Sequence, residues 1–182
     1  CHEVMGRAVD ASISCLRRVA EAVGDCCFAW GIASDDSGTQ RCEFIHPDLW
    51  AEMMKPNYAR LCRWVHEHTG MKTFLHSCGA IYEALDIVAD SGFDIVNPVQ
   101  WCAGGRTPAD WKARAASRRL ALWGGGVDSQ HTLPLGTVAD VERQVREVVP
   151  VLAAGGGYVF CNIHNILAEI EPEKVIAMYR AA

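Results

Sequence analysis

Two spacings of apolar residues alternate along the chain, one typical of helices and one typical of buried strands. Residues 3–23 carry apolar side chains at about every third or fourth position, which predicts an amphipathic helix. Five short apolar runs follow, each bounded by glycine or polar residues, and they predict strands. The predicted strands cover residues 26–33, 72–76, 93–97, 119–124 and 157–162.

Amphipathic segments separate the predicted strands. Pro47 begins a long one, for which we predict a helix to about residue 69 with a kink or break near Pro56. The other predicted helices cover residues 81–89, 108–116, 138–151 and 172–179. Strands that alternate with helices predict parallel βα units, and strands that are apolar on both faces are typical of a parallel sheet covered by helices.

Two α/β architectures fit this alternation, an open doubly wound sheet and part of a (β/α)8 barrel. No Gly-x-Gly-x-x-Gly follows the first strand, which disfavours a dinucleotide-binding sheet. A barrel takes about 250 residues, so this chain of 182 residues would supply about five of its units. The sequence begins at Cys1 inside a helical pattern, so we expect an N-terminal part to be missing. We predict a single domain over residues 1–182, the C-terminal part of a TIM (β/α)8 barrel.

The charge and composition of the chain argue against several classes of function. The net charge of −5, with no run of Lys and Arg, argues against a nucleic acid or an anionic membrane as a partner. No apolar run approaches the roughly 20 residues of a membrane span, and no signal peptide is recognisable. The nine cysteines are irregularly spaced, and several lie within apolar patterns, which favours free thiols in a reducing compartment. We therefore expect a cytoplasmic protein that acts on a small molecule.

Polar side chains follow every predicted strand. They are Asp35, Asp36 and Gln40 after the first strand, His76 and Cys78 after the second, Asn97 and Gln100 after the third, Asp128 after the fourth, and Cys161 and His164 after the fifth. Parallel strands share one C-terminal end, and in barrels that rim carries the active site. The convergence of five polar clusters on one rim predicts an enzyme.

The segment TFLHSCG (residues 73–79) suggests a metal site. Residues two apart in an extended chain point to the same side, so His76 and Cys78 can hold one ion. Imidazole and thiolate together suit zinc, and a catalytic zinc keeps three protein ligands and one open position. His164 and Cys161, after another strand, are both candidates for the third ligand. The structural alternative is a half-buried histidine beside a packed cysteine.

Other rim residues also have structural alternatives. Asp35 and Asp36 can act as acid, base or substrate ligands, or can close an Asx turn at the strand end. The WGGGVD run (residues 123–128) can let backbone amides approach a ligand closely, or can form a tight turn between strand and helix.

Longer segments resemble the C-terminal half of the uroporphyrinogen decarboxylase family. They are DDSGTQ, HPDLWAEMMKPNYARL, HSCGAIYEALDIVADSGFDIVNPVQ, LWGGGVDSQHTLPLGTVADV and IHNILAEIEPEKVIAMYRA. The resemblance runs in order from about Asp25 to Ala182, and it is strongest to the branch of corrinoid-linked methyltransferases. It implies a TIM-type barrel with its site at the C-terminal rim, in agreement with the strand and helix pattern.

The resemblance also implies a ligand set. In the methyltransferase branch, a His-x-Cys and a third ligand near the last strand bind zinc, which activates the thiol of coenzyme M or a similar acceptor. His76 and Cys78 match the first two ligands. His164 aligns with the third, where the coenzyme M enzymes have Cys and the decarboxylases have His. Cys161 lies three residues earlier, so the third ligand stays open between His164 and Cys161.

Further site residues follow from the same resemblance, while Asp35 and Asp128 follow from their positions after the predicted strands. The Asp-Asp-x-Gly-Thr-Gln and Asn-Pro-x-Gln segments recur in this branch and imply that Asp36, Gln40, Asn97 and Gln100 surround the substrate. The predicted catalytic residues are Asp36 and His164. The predicted substrate-binding residues are Asp35, Gln40, Asn97, Gln100 and Asp128.

The leading hypothesis is a zinc-dependent methyltransferase that moves a methyl group between a corrinoid, carried by a partner protein, and a thiol or folate-type acceptor. The first alternative is a metal-free decarboxylase of a tetrapyrrole or another carboxylated substrate, in which His164 and the Asp35–Asp36 pair stabilise the intermediate. The second is a non-catalytic half-barrel subunit, since five units leave two sheet edges that proteins normally cover. A homo-oligomer is compatible with each hypothesis.

Overall fold

Five strands form one parallel sheet, in the order in which they occur along the chain. The computed structural model describes residues 1–182. The strands are β1 (Ala29–Ala33), β2 (Lys72–His76), β3 (Ile95–Asn97), β4 (Ala121–Trp123) and β5 (Tyr158–Val159). A doubly wound sheet reverses its strand order at a switch point, whereas a barrel wall does not. The sequential order therefore confirms the predicted partial TIM barrel.

Eight α-helices connect and cover the strands. They are α1 (His2–Val23), α2 (Pro47–Met53), α3 (Lys55–His68), α4 (Leu85–Asp90), α5 (Pro108–Arg118), α6 (Thr132–Leu135), α7 (Val138–Ala153) and α8 (Pro172–Ala181). Two of them begin at capping boxes, in which the side chains of Thr107 and Asp110 bond each other's backbone N–H before α5, and those of Thr137 and Asp140 do so before α7. None of the helices combines the length and the apolar character that a bilayer span requires.

The observed element bounds agree with the predicted ones in part. The long helix beginning at Pro47 divides into α2 and α3 at Met54, which confirms the break predicted near Pro56, because the ring of Pro56 cannot follow a continuous helical turn. The strands β1, β3, β4 and β5 are shorter than predicted. Residues Gly24–Cys26 instead form a 3-10 turn before β1. The four-residue helix α6 lies in a segment without a predicted element, since it is too short to show a helical period.

The main core lies between the sheet and its helices. It consists of sixteen buried residues, including Leu75, Val96 and Leu122 from neighbouring strands and Trp111 from α5. Burying each such side chain contributes about 1.5–3 kcal/mol. Phe74 and Trp123 make an edge-to-face contact with ring centroids 5.5 Å apart, and neither ring belongs to this core. Alternation along β2 places His76 on the same face as Phe74, at the C-terminal end of the strand.

Asp94 fastens β2 to β3 at the opposite end of the sheet. Its Oδ2 accepts hydrogen bonds from the backbone N–H of Thr73 at 2.8 Å and from the Thr73 hydroxyl at 3.0 Å, and it lies 2.7 Å from His66 Nε2. Burial by itself raises the pKa of Asp94, but the hydrogen bonds from Thr73 and His66 outweigh it and lower the pKa below its ordinary value. The ionised carboxylate is therefore part of the folded structure.

Candidate functional site

The structure brings together the side chains of His76, Cys78 and His164 at the C-terminal rim. Their ligand atoms all lie within 4.8 Å of one another. The Sγ of Cys78 is 3.5 Å from Nε2 of His76 and 3.7 Å from Nδ1 of His164. His76 is the last residue of β2, Cys78 follows two positions later, and His164 lies in the loop after β5. Three soft ligands from two separate segments thus face one point.

The spacing of these atoms fits a zinc ion. Tetrahedral zinc with Zn–S near 2.3 Å and Zn–N near 2.0–2.1 Å places sulfur and nitrogen ligands about 3.6 Å apart. The two sulfur–nitrogen distances, 3.5 and 3.7 Å, lie on either side of this value. Two imidazoles and one thiolate are ligands that zinc accepts, and three protein ligands leave a fourth position for a substrate. These residues therefore fit the metal that the sequence suggests.

Asn97 fixes the orientation of the His76 ring. The Nδ2 of Asn97 donates to the carbonyl oxygen of Trp123 at 3.0 Å, which turns Oδ1 toward Nδ1 of His76 at 2.6 Å. Because Oδ1 is only an acceptor, Nδ1 of His76 carries the proton, and the lone pair of Nε2 faces Cys78. A hydrogen bond of this kind behind a histidine ligand sets its tautomer in metal sites.

Asp36 lies against the backbone of Cys78. Its Oδ1 accepts the Cys78 N–H at 2.8 Å. Burial, and after it the negative charge of Asp36, raises the pKa of the Cys78 thiol to about 11. By itself Cys78 is therefore a neutral thiol near pH 7, and a bound metal would reverse this, since a coordinating thiol is deprotonated.

Two glycines let the loop after β1 pack directly on the loop that carries Cys78. A Cβ on Gly79, where φ is +91°, would lie 2.2 Å from the carbonyl oxygen of Gly38. The N–H of Ala80 donates to the Thr39 carbonyl at 2.8 Å. The N–H of Ser37 donates to the hydroxyl of Ser77, also at 2.8 Å, so the two loops are joined on both sides of Cys78. This contact is not predictable from the sequence, because a glycine does not reveal which residue packs against it.

Gln100 and Gln40 form the next contact around this loop. The buried Gln100 accepts the N–H of Gly79 through Oε1 at 2.6 Å and donates from Nε2 to Oε1 of Gln40 at 3.1 Å. Both bonds use the oxygen of an amide as acceptor, so the NH2 group of Gln40 is left for a ligand. These glutamines hold the Cys78 loop and also line the adjacent cavity.

A cavity of about 290 Å³ opens beside Cys78 and His164. Asp36, Gln40, Gln100 and His164 lie on its polar side. Its apolar residues come from α6 and the loop after β5, and they are Leu133, Ile163, Ile166, Leu167 and Ile170. This apolar wall was not among the predicted site residues, although the spacing of isoleucine and leucine from Ile163 to Ile170 indicates an apolar surface. A second cavity, of about 300 Å³, is lined by His76, Asn97 and Cys161, and it shares His164 with the first.

Apart from His76, four predicted site residues do not line the first cavity. Asn97 contacts His76 and not this cavity, because the sheet register pairs the two residues. The buried carboxylate of Asp128 accepts the backbone N–H groups of Gln130 and His131, as an Asx turn does. Asp35 is exposed and does not line the cavity.

Cys161 is the fourth, and it is separated from the ligand group. Its Sγ donates to the carbonyl oxygen of Asn162 at 3.1 Å, and the residue lines the second cavity but not the first. Burial raises the pKa of its thiol. Of the two candidates for the third ligand, the structure therefore brings His164, not Cys161, to His76 and Cys78.

Comparisons with known proteins agree with this architecture. The model of the uroporphyrinogen decarboxylase (URO-D) family matches residues 1–182. Among solved structures, a methyltransferase from Methanosarcina mazei superimposes with a TM-score of 0.72 at 23% sequence identity, over 99% of this chain and 48% of that one. The chain thus spans about half the length of that methyltransferase, and the likeness is one of fold. A search of curated protein sequences found no match.

Proposed function

Since this chain belongs to the uroporphyrinogen decarboxylase family, we propose that it forms the metal-binding part of a zinc-dependent methyltransferase. The reaction moves a methyl group between a corrinoid, carried by a partner protein, and a thiol or folate-type acceptor. The observation that carries this proposal is the approach of His76, Cys78 and His164 at distances that suit one zinc ion. The fold shared with a methyltransferase supports it.

Each residue near the ligands has a role in this proposal. Zinc, when bound, supplies the Lewis acidity that keeps an acceptor thiol deprotonated near neutral pH. His76, Cys78 and His164 would hold it, and Asn97 keeps the Nε2 lone pair of His76 available. Gln40 offers its amide N–H groups to the acceptor from the polar side of the cavity.

The side chains around the cavity also separate the acceptor from water. The wall formed by Leu133 and the isoleucines of the loop after β5 covers one side of a bound molecule. On the other side, Gln100 and Asp36 fix the Cys78 loop through the backbone N–H groups of Gly79 and Cys78. A loop held in this way keeps the ligand atoms in place while the acceptor is exchanged.

Zinc content tests this proposal directly. We expect about one zinc per chain in the wild type, by elemental analysis of freshly purified protein, and its loss in His76→Ala and Cys78→Ser. Cys15→Ser and His46→Ala change exposed residues of the same types outside the ligand group, so they should retain the metal. Circular dichroism establishes that each variant is folded.

Methyl transfer is then measured from methylcobalamin to small thiols, by the loss of the cobalt–methyl absorption. We expect this transfer in the wild type and the two controls only. A folded wild type without metal, or a Cys78→Ser variant with full zinc and full activity, would contradict the proposal. The first result would favour the metal-free decarboxylase instead.

A further inference from the structure

Residues 37–44, in the loop after β1, form a small hairpin next to the Cys78 loop. The N–H of Thr39 donates to the Cys42 carbonyl at 2.7 Å, and the N–H of Phe44 donates to the Ser37 carbonyl at 2.8 Å. The Thr39 hydroxyl also donates to the Cys42 carbonyl, at 2.8 Å, and accepts the Cys42 N–H at 3.0 Å. These bonds pair the polar groups of the segment with one another, and we call it the rim hairpin.

The base of the rim hairpin is fixed to the residue between two of the candidate zinc ligands. Ser77 lies between His76 and Cys78, and its side chain is fully buried. Its hydroxyl accepts the N–H of Ser37 at 2.8 Å. Asp36, the residue before Ser37, accepts the N–H of Cys78, also at 2.8 Å. The two bonds are reciprocal, because each loop donates one backbone N–H and accepts the other through a side chain.

The tip of the rim hairpin is held at the cavity by the loop after β3. The N–H of Gly104 donates to the backbone carbonyl of Gln40 at 3.0 Å, and Nε2 of Gln100 donates to Oε1 of Gln40 at 3.1 Å. Gln40 lines the cavity beside Cys78 and His164. The rim hairpin thus connects the backbone of a candidate zinc ligand, at its base, to an amide that faces the cavity, at its tip.

We infer that Ser77 is a positioning residue, which anchors the rim hairpin and through it fixes both the Cys78 loop and the amide of Gln40. This inference rests on the proposed function, because it concerns the metal and the acceptor that the site would bind. Without the hydroxyl, the N–H of Ser37 loses its partner and the reciprocal bond from Cys78 to Asp36 loses its support. The metal-free site then samples more arrangements, and zinc binding has to select one of them at a cost in affinity.

Zinc affinity tests this inference, because a residue that only stabilises the fold leaves it unchanged. Competition with a chromophoric chelator on the full chain should show zinc binding about three- to tenfold weaker in Ser77→Ala, the effect of one hydrogen bond. The matched control is Ser91→Ala, since that buried hydroxyl donates to the Ile87 carbonyl at 2.7 Å in α4. It should change the affinity less than about twofold, although it also removes a buried hydrogen bond. The absorption of cobalt(II) bound in place of zinc depends on the arrangement of its ligands, so the spectrum should change in Ser77→Ala only.

Variants of Asp36 test whether the two reciprocal bonds act together. Asp36→Ala removes the acceptor of the Cys78 N–H, whereas Asp36→Asn keeps an acceptor and removes only the charge. Zinc should therefore bind about threefold or more weakly to Asp36→Ala than to Asp36→Asn. In an Asp36→Ala background, Ser77→Ala should weaken zinc binding less than about twofold, because the bond through which it acts is already lost. An undiminished effect of Ser77→Ala in that background would contradict the inference.

The outcomes separate this inference from the proposed function. If a folded Ser77→Ala binds zinc as tightly as the wild type, or if Ser91→Ala weakens binding equally, the inference is wrong while the zinc proposal stands. Equal zinc affinities of Asp36→Ala and Asp36→Asn also overturn it, and this comparison does not require Ser77→Ala to fold. A wild type that binds no zinc overturns both.

The part of the inference that concerns Gln40 has its own measurement. Calorimetric titration of the zinc-loaded full chain with 2-mercaptoethanol gives the dissociation constant of a small thiol. We expect this constant to rise about threefold in Ser77→Ala, because the hairpin that presents the Gln40 amide is less well fixed, and to stay unchanged in Ser91→Ala. An unchanged constant in Ser77→Ala overturns this part.

Discussion

Replacing Asn97 by alanine measures what the residue behind His76 contributes to metal binding. The change removes the acceptor 2.6 Å from Nδ1 of His76. The ring is then free to adopt the other tautomer, and selecting the metal-binding one of two equal tautomers costs zinc binding about 0.4 kcal/mol. The ring also loses a hydrogen bond that contributes about 1–1.5 kcal/mol. The sum corresponds to a zinc affinity about 10–30-fold weaker, within the range of about 10–100-fold for such partners of metal ligands.

Competition with a chromophoric zinc chelator at pH 7 gives the affinities. Asn97→Asp should restore much of the loss, because a carboxylate still accepts from Nδ1 although it cannot donate to the Trp123 carbonyl. Asn57→Ala is the control, since that half-buried asparagine donates to the Met53 carbonyl far along the chain on α3. An Asn97→Ala variant that binds zinc as tightly as the wild type would refute the role of Asn97.

Two further predictions concern stability and are measured by urea denaturation. Asp94→Asn should lower the free energy of unfolding by about 1–3 kcal/mol at pH 7. Because the folded pKa of Asp94 is lowered, this difference is present above the unfolded pKa near 4 and shrinks as pH falls through the folded value; an equal loss at pH 3 would contradict it. Gly79→Ala should lower the free energy of unfolding by roughly 3 kcal/mol or more, since its Cβ meets the Gly38 carbonyl. Gly155→Ala is also at positive φ but in open space, so it should lower this free energy by only about 1–2 kcal/mol.

The sequence predicted those elements best whose ends are set by local chemistry. β2 was placed correctly over residues 72–76, because its apolar run is bounded by Gly70 and by the polar rim. α5 begins at Pro108 as predicted, since its capping box is local. β5, in contrast, was predicted over six residues and has two, because its length depends on pairing with β4 alone. Such pairing is a property of the sheet and has no local sequence signal.

The residues of the candidate site also divide into those that local spacing predicts and those whose position depends on long-range structure. His76 and Cys78 were paired from their spacing, and the structure brings them together because the chain continues extended past β2. The choice between His164 and Cys161 depends on the path of the loop after β5, which spacing does not specify. Asn97 was expected near the substrate, yet it contacts His76, because the β2–β3 register pairs the two residues on one face. A register set by long-range pairing cannot be read from a single strand.

The three candidate zinc ligands are held unequally, which would determine how fast a bound metal ion exchanges. His76 and the Cys78 loop are fixed by Asn97 and Asp36, whereas His164 is exposed and makes its one side-chain hydrogen-bond contact with Cys78. An ion would thus leave stepwise, first from His164 and then from the pair. While the ion is held only by His76 and Cys78, the imidazole of His164 can bind it again, because the chain keeps that imidazole at an effective concentration of about millimolar. This rebinding competes with release of the ion. The exchange rate should therefore level off at high chelator concentration, where opening of the His164 loop becomes the slow step.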